Sequence, residues 1–228
     1  VTLLEDASAS GNVLANDTDA NADTLSVTAF TVGGVSGTLG QATSIANVGS
    51  FTLNAGGAFS FTPLANYAGA VPLVKYTLSD GNGGTSSATL SLSITPVNDA
   101  PTSSNDSVTT REDTAVVLGL GDFGSYADVE GTPLAKVKVT SLPAAGALQY
   151  NTSGSTWAAV TANQEITAAD IAAGKLRFVP VADATGSPYT TLQFQVSDGT
   201  VYSASSYTLT VNVTPVNDAP TGTNDTLT

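Results

Sequence analysis

A chain of 228 residues suits two domains of ordinary size, each able to bury its own core. Six Lys and Arg against 19 Asp and Glu give a net charge of −13, which excludes the basic patches that nucleic acid and anionic membranes require. With no Cys, His or Met, disulfides, the usual zinc and copper sites and Cys or His nucleophile–base pairs are excluded, while oxygen ligands that select calcium or magnesium are plentiful.

The first unit is read over residues 1–99. VTLL (1–4) starts a strand, and Glu5-Asp6 follow it. NDTDANAD (16–23) carries Asp17, Asp19 and Asp23 with Asn21 between them, acids that share one face when extended and converge in a turn. An EF-hand loop is rejected, because Ala22 stands at its turn glycine and Thr28 at its bidentate Glu. TLSVTAFTV (24–32) alternates as a strand, and 49–63 reads as a hairpin around Ala55-Gly56-Gly57. A second hairpin over 71–94 turns at DGNGG (80–84), with Asp80 at its corner. Phe51, Leu53, Phe59, Phe61, Val74, Tyr76, Leu78, Leu90, Leu92 and Ile94 form the expected core.

Then comes SITPVNDAPT (93–102), which returns as NVTPVNDAPT (212–221), with Pro96 and Pro215 119 residues apart. Each copy follows an alternating run, ATLSLSI (88–94) or YTLTVNV (207–213), so each is a last strand leading into a joint of a tandem array. Prolines bracket Asn98-Asp99 and Asn217-Asp218 and stiffen the backbone that carries them.

The second unit is read over 100–218, and 219–228 as the start of a third repeat. VTTREDTAV (108–116) matches VTLLEDASA (1–9), setting Glu112 opposite Glu5; DVEGTPLAKVKVT (128–140) matches DANADTLSVTAFT (19–31), setting Asp128 and Glu130 opposite Asp19 and Asn21. FQVSDG (194–199) repeats YTLSDG (76–81), so Asp198 answers Asp80. The middle differs: 158–180 holds one helical turn, capped by Thr167, with a capping box through Asp170 and an end at Gly174. Trp157 is expected in the core.

The fold expected is all-β: two tandem Greek-key β-sandwiches. The acids then fall at sandwich ends. One end would carry Asp17, Asp19, Asn21, Asp23 and Asp80 in the first unit, and Asp128, Glu130 and Asp198 in the second. The other end would carry Glu5 with Asn98-Asp99, and Glu112 with Asn217-Asp218. Stacked end to end, the units would bring Glu5, Asn98 and Asp99 against Asp128, Glu130 and Asp198, where the carboxylates repel unless a cation is held.

VTPVNDAP resembles the DxNDNxP linker of cadherins, Asp128-Val129-Glu130 their DxD pair, Glu5 and Glu112 their first-strand Glu, and Asp80 and Asp198 the Asp of their AxD motif. EDASASGNVLANDTDANADTLSV, GGAFSFTPLANYAG and YTLSDGNGGTSSATLSLSITPVNDAP resemble more closely the bacterial cadherin-like or Ig-like repeats of giant biofilm and repeats-in-toxin (RTX) adhesins. ITAADIAAGKLRFVP resembles the chondroitin-sulfate-proteoglycan type of cadherin-like repeat. Pro96 stands where the linker motif has its first acid, and no counterpart of the LDRE acids precedes Tyr76, so the resemblance implies one or two Ca2+ ions per joint rather than three.

The resemblance implies calcium-rigidified extender repeats of a large bacterial cell-surface adhesin, extracellular, serving cell adhesion or biofilm. The alternatives are a carbohydrate- or protein-binding module of such an adhesin, or an accessory domain of a secreted enzyme. No enzyme is expected within the chain: Glu112 and Asp113 are adjacent, not the facing pair of a glycosidase. Expected partners are neighbouring repeats of the same chain, with any surface ligand reached through another domain of the parent protein. With no bilayer-length apolar run and no signal-peptide pattern, the chain is expected to be a soluble piece of a larger protein without direct membrane insertion.

Overall fold

The computed structural model describes residues 1–152, 154, 156–220 and 222; most of the expected third-repeat start (221 and 223–228) lies outside the described residues. The chain divides into two compact units, Val1–Val97 and Asn98–Thr228, each with its own core.

The first unit contains β1 (Thr2–Leu4), β2 (Ala9–Asn12), β3 (Ser26–Val32), β4 (Val35–Gly37), β5 (Thr43–Ile45), β6 (Gly49–Leu53), β7 (Ala58–Pro63), β8 (Val74–Ser79), β9 (Thr85–Leu90) and β10 (Ser93–Thr95). Two four-stranded sheets, β2-β7-β6-β5 and β4-β3-β8-β9, enclose one core, and β1 pairs in parallel with β10. Period-two alternation drives this. Phe51 and Leu53 on β6 point inward with Phe59 and Phe61 on β7, while the residues between them stay exposed or half-buried. Phe51 meets the edge of Phe30 from the opposite sheet at 5.9 Å, each buried ring adding about 1.5–3 kcal/mol by burial. The hairpin between β6 and β7 closes through Gly57, whose φ of +83° suits glycine.

One expected strand is divided. The run 88–94 keeps its alternation, but Leu90 ends the pairing of β9 with β8, and Ser93–Thr95 pair instead with β1. The break falls at Ser91-Leu92, where the chain changes partner while Leu92 and Ile94 stay buried.

The second unit contains β11 (Asp106–Arg111), β12 (Val116–Val117), a 3-10 turn (Leu120–Phe123), β13 (Lys136–Ser141), β14 (Ala147–Tyr150), β15 (Ala158–Ala159), β16 (Gln164–Thr167), α1 (Ala168–Ala172), β17 (Leu176–Val179), β18 (Gly186–Ser197) and β19 (Tyr207–Thr214). The sheets are β11-β19-β18-β13-β16 and β12-β17-β14-β15. Here β19 is continuous, flanked by β18 on one side and by six residues of β11, in parallel, on the other.

Thr167 caps α1, its hydroxyl accepting the Asp170 N–H at 3.1 Å. The Asp170 carboxylate does not complete a capping box. It takes the Tyr150 hydroxyl and, at 2.6 Å, the Lys175 ammonium, which as a cation outcompetes a backbone N–H. Trp157 is half-buried and lies outside the core, with the Arg177 guanidinium 4.0 Å from its ring centroid. Trp157 lies just ahead of the two-residue edge strand β15, and Arg177 covers its ring.

Candidate metal centre

The two units hold their trailing ends by the same device. In the first, Leu4 pairs with Thr95, the Glu5 N–H donates to the Thr95 carbonyl at 3.0 Å, and the buried Glu5 carboxylate accepts the Val97 N–H at 2.5 Å. In the second, Arg111 pairs with Thr214, the Glu112 N–H donates to Thr214, and the buried Glu112 carboxylate accepts the Val216 N–H at 2.6 Å. Each Glu thus clamps the chain as it leaves the last strand past the proline. The amides beyond repeat as well: Asn98 donates to the Asp99 carbonyl at 3.0 Å and Asn217 to the Asp218 carbonyl at 3.2 Å.

At the start of the second unit the segment after Val97 is fixed by backbone. Thr102 and Ala127 exchange N–H···O bonds of 2.8 and 2.9 Å, laying the Asn98–Thr102 stretch beside the loop that carries Asp128 and Glu130. The Asn98 amide donates to Asp198 Oδ2 at 2.6 Å, and the Asp99 N–H donates to Glu130 Oε2 at 3.3 Å. Asp198 Oδ1 accepts the N–H groups of Thr200 and Val201 at 2.7 and 2.8 Å; Asp128 Oδ1 accepts the Thr132 N–H at 2.8 Å. Asp99 and Glu130 bring carboxylate oxygens within 4.8 Å of each other.

Two atoms stand out in this constellation: Asp99 Oδ2 and Asp128 Oδ2 are buried and have no hydrogen-bond partner. Buried polar atoms are rarely left so. Burial acts to raise the Asp198 carboxyl, but the Val201 N–H, the Asn98 amide and the Thr200 N–H outweigh it and hold the group below the usual carboxylate range. Asp198 therefore keeps its negative charge. Burial, and then the charges of Asp128 and Asp198, push the Tyr126 phenol up to about 12, and its hydroxyl donates to the Thr132 carbonyl at 3.0 Å.

In the first unit Asp19, Asp23 and Asp80, all half-buried, bring oxygens within 4.8 Å of one another. Asp19 Oδ1 accepts the Asn21 and Asp23 N–H groups at 2.8 and 3.1 Å, folding the loop into a turn; Asp80 Oδ1 does the same for Asn82 and Gly84 at 2.8 and 2.9 Å. Asn21 contributes its backbone N–H, and its side chain is exposed. Asp17 is occupied elsewhere: its Oδ2 accepts the Tyr76 hydroxyl at 2.9 Å.

A third acidic group joins Asp113, Asp183 and Asp218, all exposed. Sequence reasoning passed over Asp183. PVADATG (180–186) echoes PLANYAG (63–69), which sets Asp183 opposite Asn66, both at positive φ. Asn66 donates its N–H to Asp6 as Asp183 donates its own to Asp113. Thr132, opposite Asp23, donates its N–H to Asp128 as Asp23 donates its own to Asp19.

The side-chain atoms in these groups are all hard oxygens, and the described residues offer two orphaned carboxylate oxygens among them, a donor set that fits calcium.

Two family profiles match in tandem: a bacterial cadherin-like domain over residues 1–96 and a bacterial Ig domain over 98–214. No curated protein matches. Among solved structures, the two Ig domains of DIP-gamma are 12% identical, with a TM-score of 0.39 over 93% of this chain and 92% of that one. The endo-fucoidan hydrolase MfFcnA4, from glycoside hydrolase family 107, is 19% identical with a TM-score of 0.29; 95% of this chain is covered, but it spans only 27% of the hydrolase chain. Surface layer protein SbsC, domains 1–6, is 15% identical with a TM-score of 0.30, covering 74% of this chain and 19% of that one.

Proposed function

Because the chain belongs to the bacterial cadherin-like and bacterial Ig domain families, one domain of each in tandem, we propose that it is a calcium-stiffened extender segment of a bacterial surface adhesin. The observation that carries this reading is the pair of buried, unpartnered oxygens on Asp99 and Asp128, beside the ionised Asp198. Asp99, Asp128, Glu130 and Asp198 would hold the ion, with Asn98 supplying an amide oxygen or orienting Asp198, and Glu5 is proposed as the ligand from the preceding unit. Calcium accepts six to eight oxygens in adaptable geometry, so a set drawn from loops and a linker suits it.

Asp19, Asp23 and Asp80 are proposed as the same kind of site in the first unit, with Asp17 and Asn21 shaping its loop. Glu112, Asn217 and Asp218 would serve the joint that follows. Filled joints resist bending because the ion ties residues of the linker to residues of the next domain, and empty ones are pushed apart by like charge. A stiff extracellular rod would carry a ligand-binding domain of the parent protein away from the cell.

Small-angle scattering of the metal-stripped chain, with and without calcium, tests the mechanical part. A single extended profile in calcium and a broader ensemble in chelator are expected, and identical profiles would refute the stiffening.

A further inference from the structure

The turn between β8 and β9 is built on one carboxylate. Asp80 Oδ1 accepts the N–H groups of Asn82 and Gly84 at 2.8 and 2.9 Å, and the Asp80 N–H donates to the Gly84 carbonyl at 3.3 Å. Gly83 lies between the two tethered amides. Among the described residues, neither the Gly83 N–H nor the Asn82 side-chain amide has a hydrogen-bond partner. Both residues are exposed. Gly83 has a φ of +104°, which suits glycine, and a Cβ placed on it would meet nothing within 4 Å, so this peptide stands in open space.

Asn82-Gly83 is the single Asn-Gly pair of the chain. A backbone nitrogen that follows an Asn can close onto the side-chain carbon of that Asn, and the side chain of the following residue ordinarily obstructs the approach. Glycine has none. Comparable positions elsewhere are tied down. In the Asp-Gly pairs, the Gly81 N–H donates to Ser79 Oγ at 3.1 Å and the Gly199 N–H to Ser197 Oγ at 3.0 Å. The side-chain amides of Asn12, Asn54, Asn98 and Asn217 donate to backbone carbonyls, and the residue after each carries a side chain.

We propose that the Asn82–Gly83 peptide is a self-modification site, which converts by its own chemistry to aspartate and isoaspartate. The Gly83 nitrogen bonds to Asn82 Cγ, the Cγ–Nδ2 bond breaks, and Nδ2 leaves as ammonia with the Gly83 amide proton. Water then opens the cyclic imide. Cleavage of the new Cγ–N bond leaves aspartate at position 82. Cleavage of the original peptide bond leaves isoaspartate, with the main chain running through Cγ. Water is the only co-reactant, and nothing is oxidised or reduced.

Either product alters the turn. A carboxylate is added next to the Asp80 loop, where Asp19, Asp23 and Asp80 already bring oxygens within 4.8 Å of one another, so like charge accumulates. Isoaspartate also lengthens the main chain between the two N–H groups that Asp80 Oδ1 grips. The matching loop of the second unit reads Asp198-Gly199-Thr200, and Asp198 Oδ1 grips Thr200 and Val201 with no Asn between them. The modification therefore acts on the first unit. It needs no metal and stands apart from the calcium reading.

The test is ageing of the full chain in warm neutral buffer, with peptide masses mapped over time and isoaspartate labelled by protein isoaspartyl methyltransferase. The peptide holding Asn82 should gain the mass of an amide turned acid, and the label, before any other Asn peptide. Asn82→Gln keeps the tethered N–H and a side-chain amide but sets that amide one carbon farther out, and both signals should be lost. An Asn82 that stays intact in the folded chain while the urea-unfolded chain converts there would overturn the inference. So would earlier conversion at another Asn, or a label on this peptide that survives Asn82→Gln.

Discussion

Asp99→Asn should change sign with the metal. Asp99 and Glu130 hold carboxylate oxygens within 4.8 Å, a repulsion of ~0.9 kcal/mol in water and about 3.5 kcal/mol at an effective dielectric of 20. Glu130 is exposed, so the lower figure governs. Without metal, removing one of the two charges should therefore stabilise the second unit by about 1 kcal/mol. The Asp99 N–H that donates to Glu130 is unaffected by the substitution. With calcium at a hundred times its dissociation constant, linkage contributes about 2.7 kcal/mol to the parent chain. A tenfold loss of affinity would cut that increment to about 1.4 kcal/mol. Urea unfolding in chelator and in calcium, on protein stripped of metal, reads both terms. The variant should be more stable than the parent in chelator and gain about half as much from calcium. Equal destabilisation in both buffers would refute the reasoning, because the Asp99 carboxylate would then be a structural hydrogen-bond acceptor.

Phe194→Ala should cost the second unit about 3–5 kcal/mol, since the ring is fully buried and meets Phe123 edge-on at 5.0 Å. Chemical denaturation would contradict the assigned core if the loss were below about 1 kcal/mol. Alkali should also unfold the chain. Burial together with Asp17 pushes Tyr76 up to about 12 from an ordinary value of 10.0, so its contribution is full below pH 10 and lost as pH rises towards 12. Tyr76→Phe should flatten that part of the stability–pH curve, and an unchanged slope would count against the buried Tyr76 phenol as its source.

The fold was legible because both units repeat a period-two pattern and the same joint. Phe51, Leu53, Phe59 and Phe61 alternate without interruption, and the hairpin turns carry their glycines. What the pattern could not show was pairing partner. ATLSLSI alternates as one strand, yet its first half belongs to β8 and its last part to β1, because side-chain periodicity records burial and not which edge is bonded. The acids were legible as residue types at loop positions, but their employment was not. Asp17 looks like Asp19 in the sequence; a hydroxyl from Tyr76, fifty-nine residues away, takes it. Asp183 escaped notice because it lies in PVADATG, far from the joint motif, and only the fold brings it to Asp113 and Asp218. Trp157 reads as core because buried aromatics are the commoner case and SGSTWAAV suggests a strand, yet it lies just ahead of a two-residue edge strand, where Arg177 covers it.

Calorimetric titration of calcium into the metal-stripped chain tests the central claim most directly. Saturable binding is expected, lost or weakened at least about tenfold in Asp128→Ala, with Asp99→Ala adding little to it, the non-additivity that a shared ion requires. An Asp128→Ala chain that binds calcium with the same affinity and the same number of ions as the parent would contradict the account.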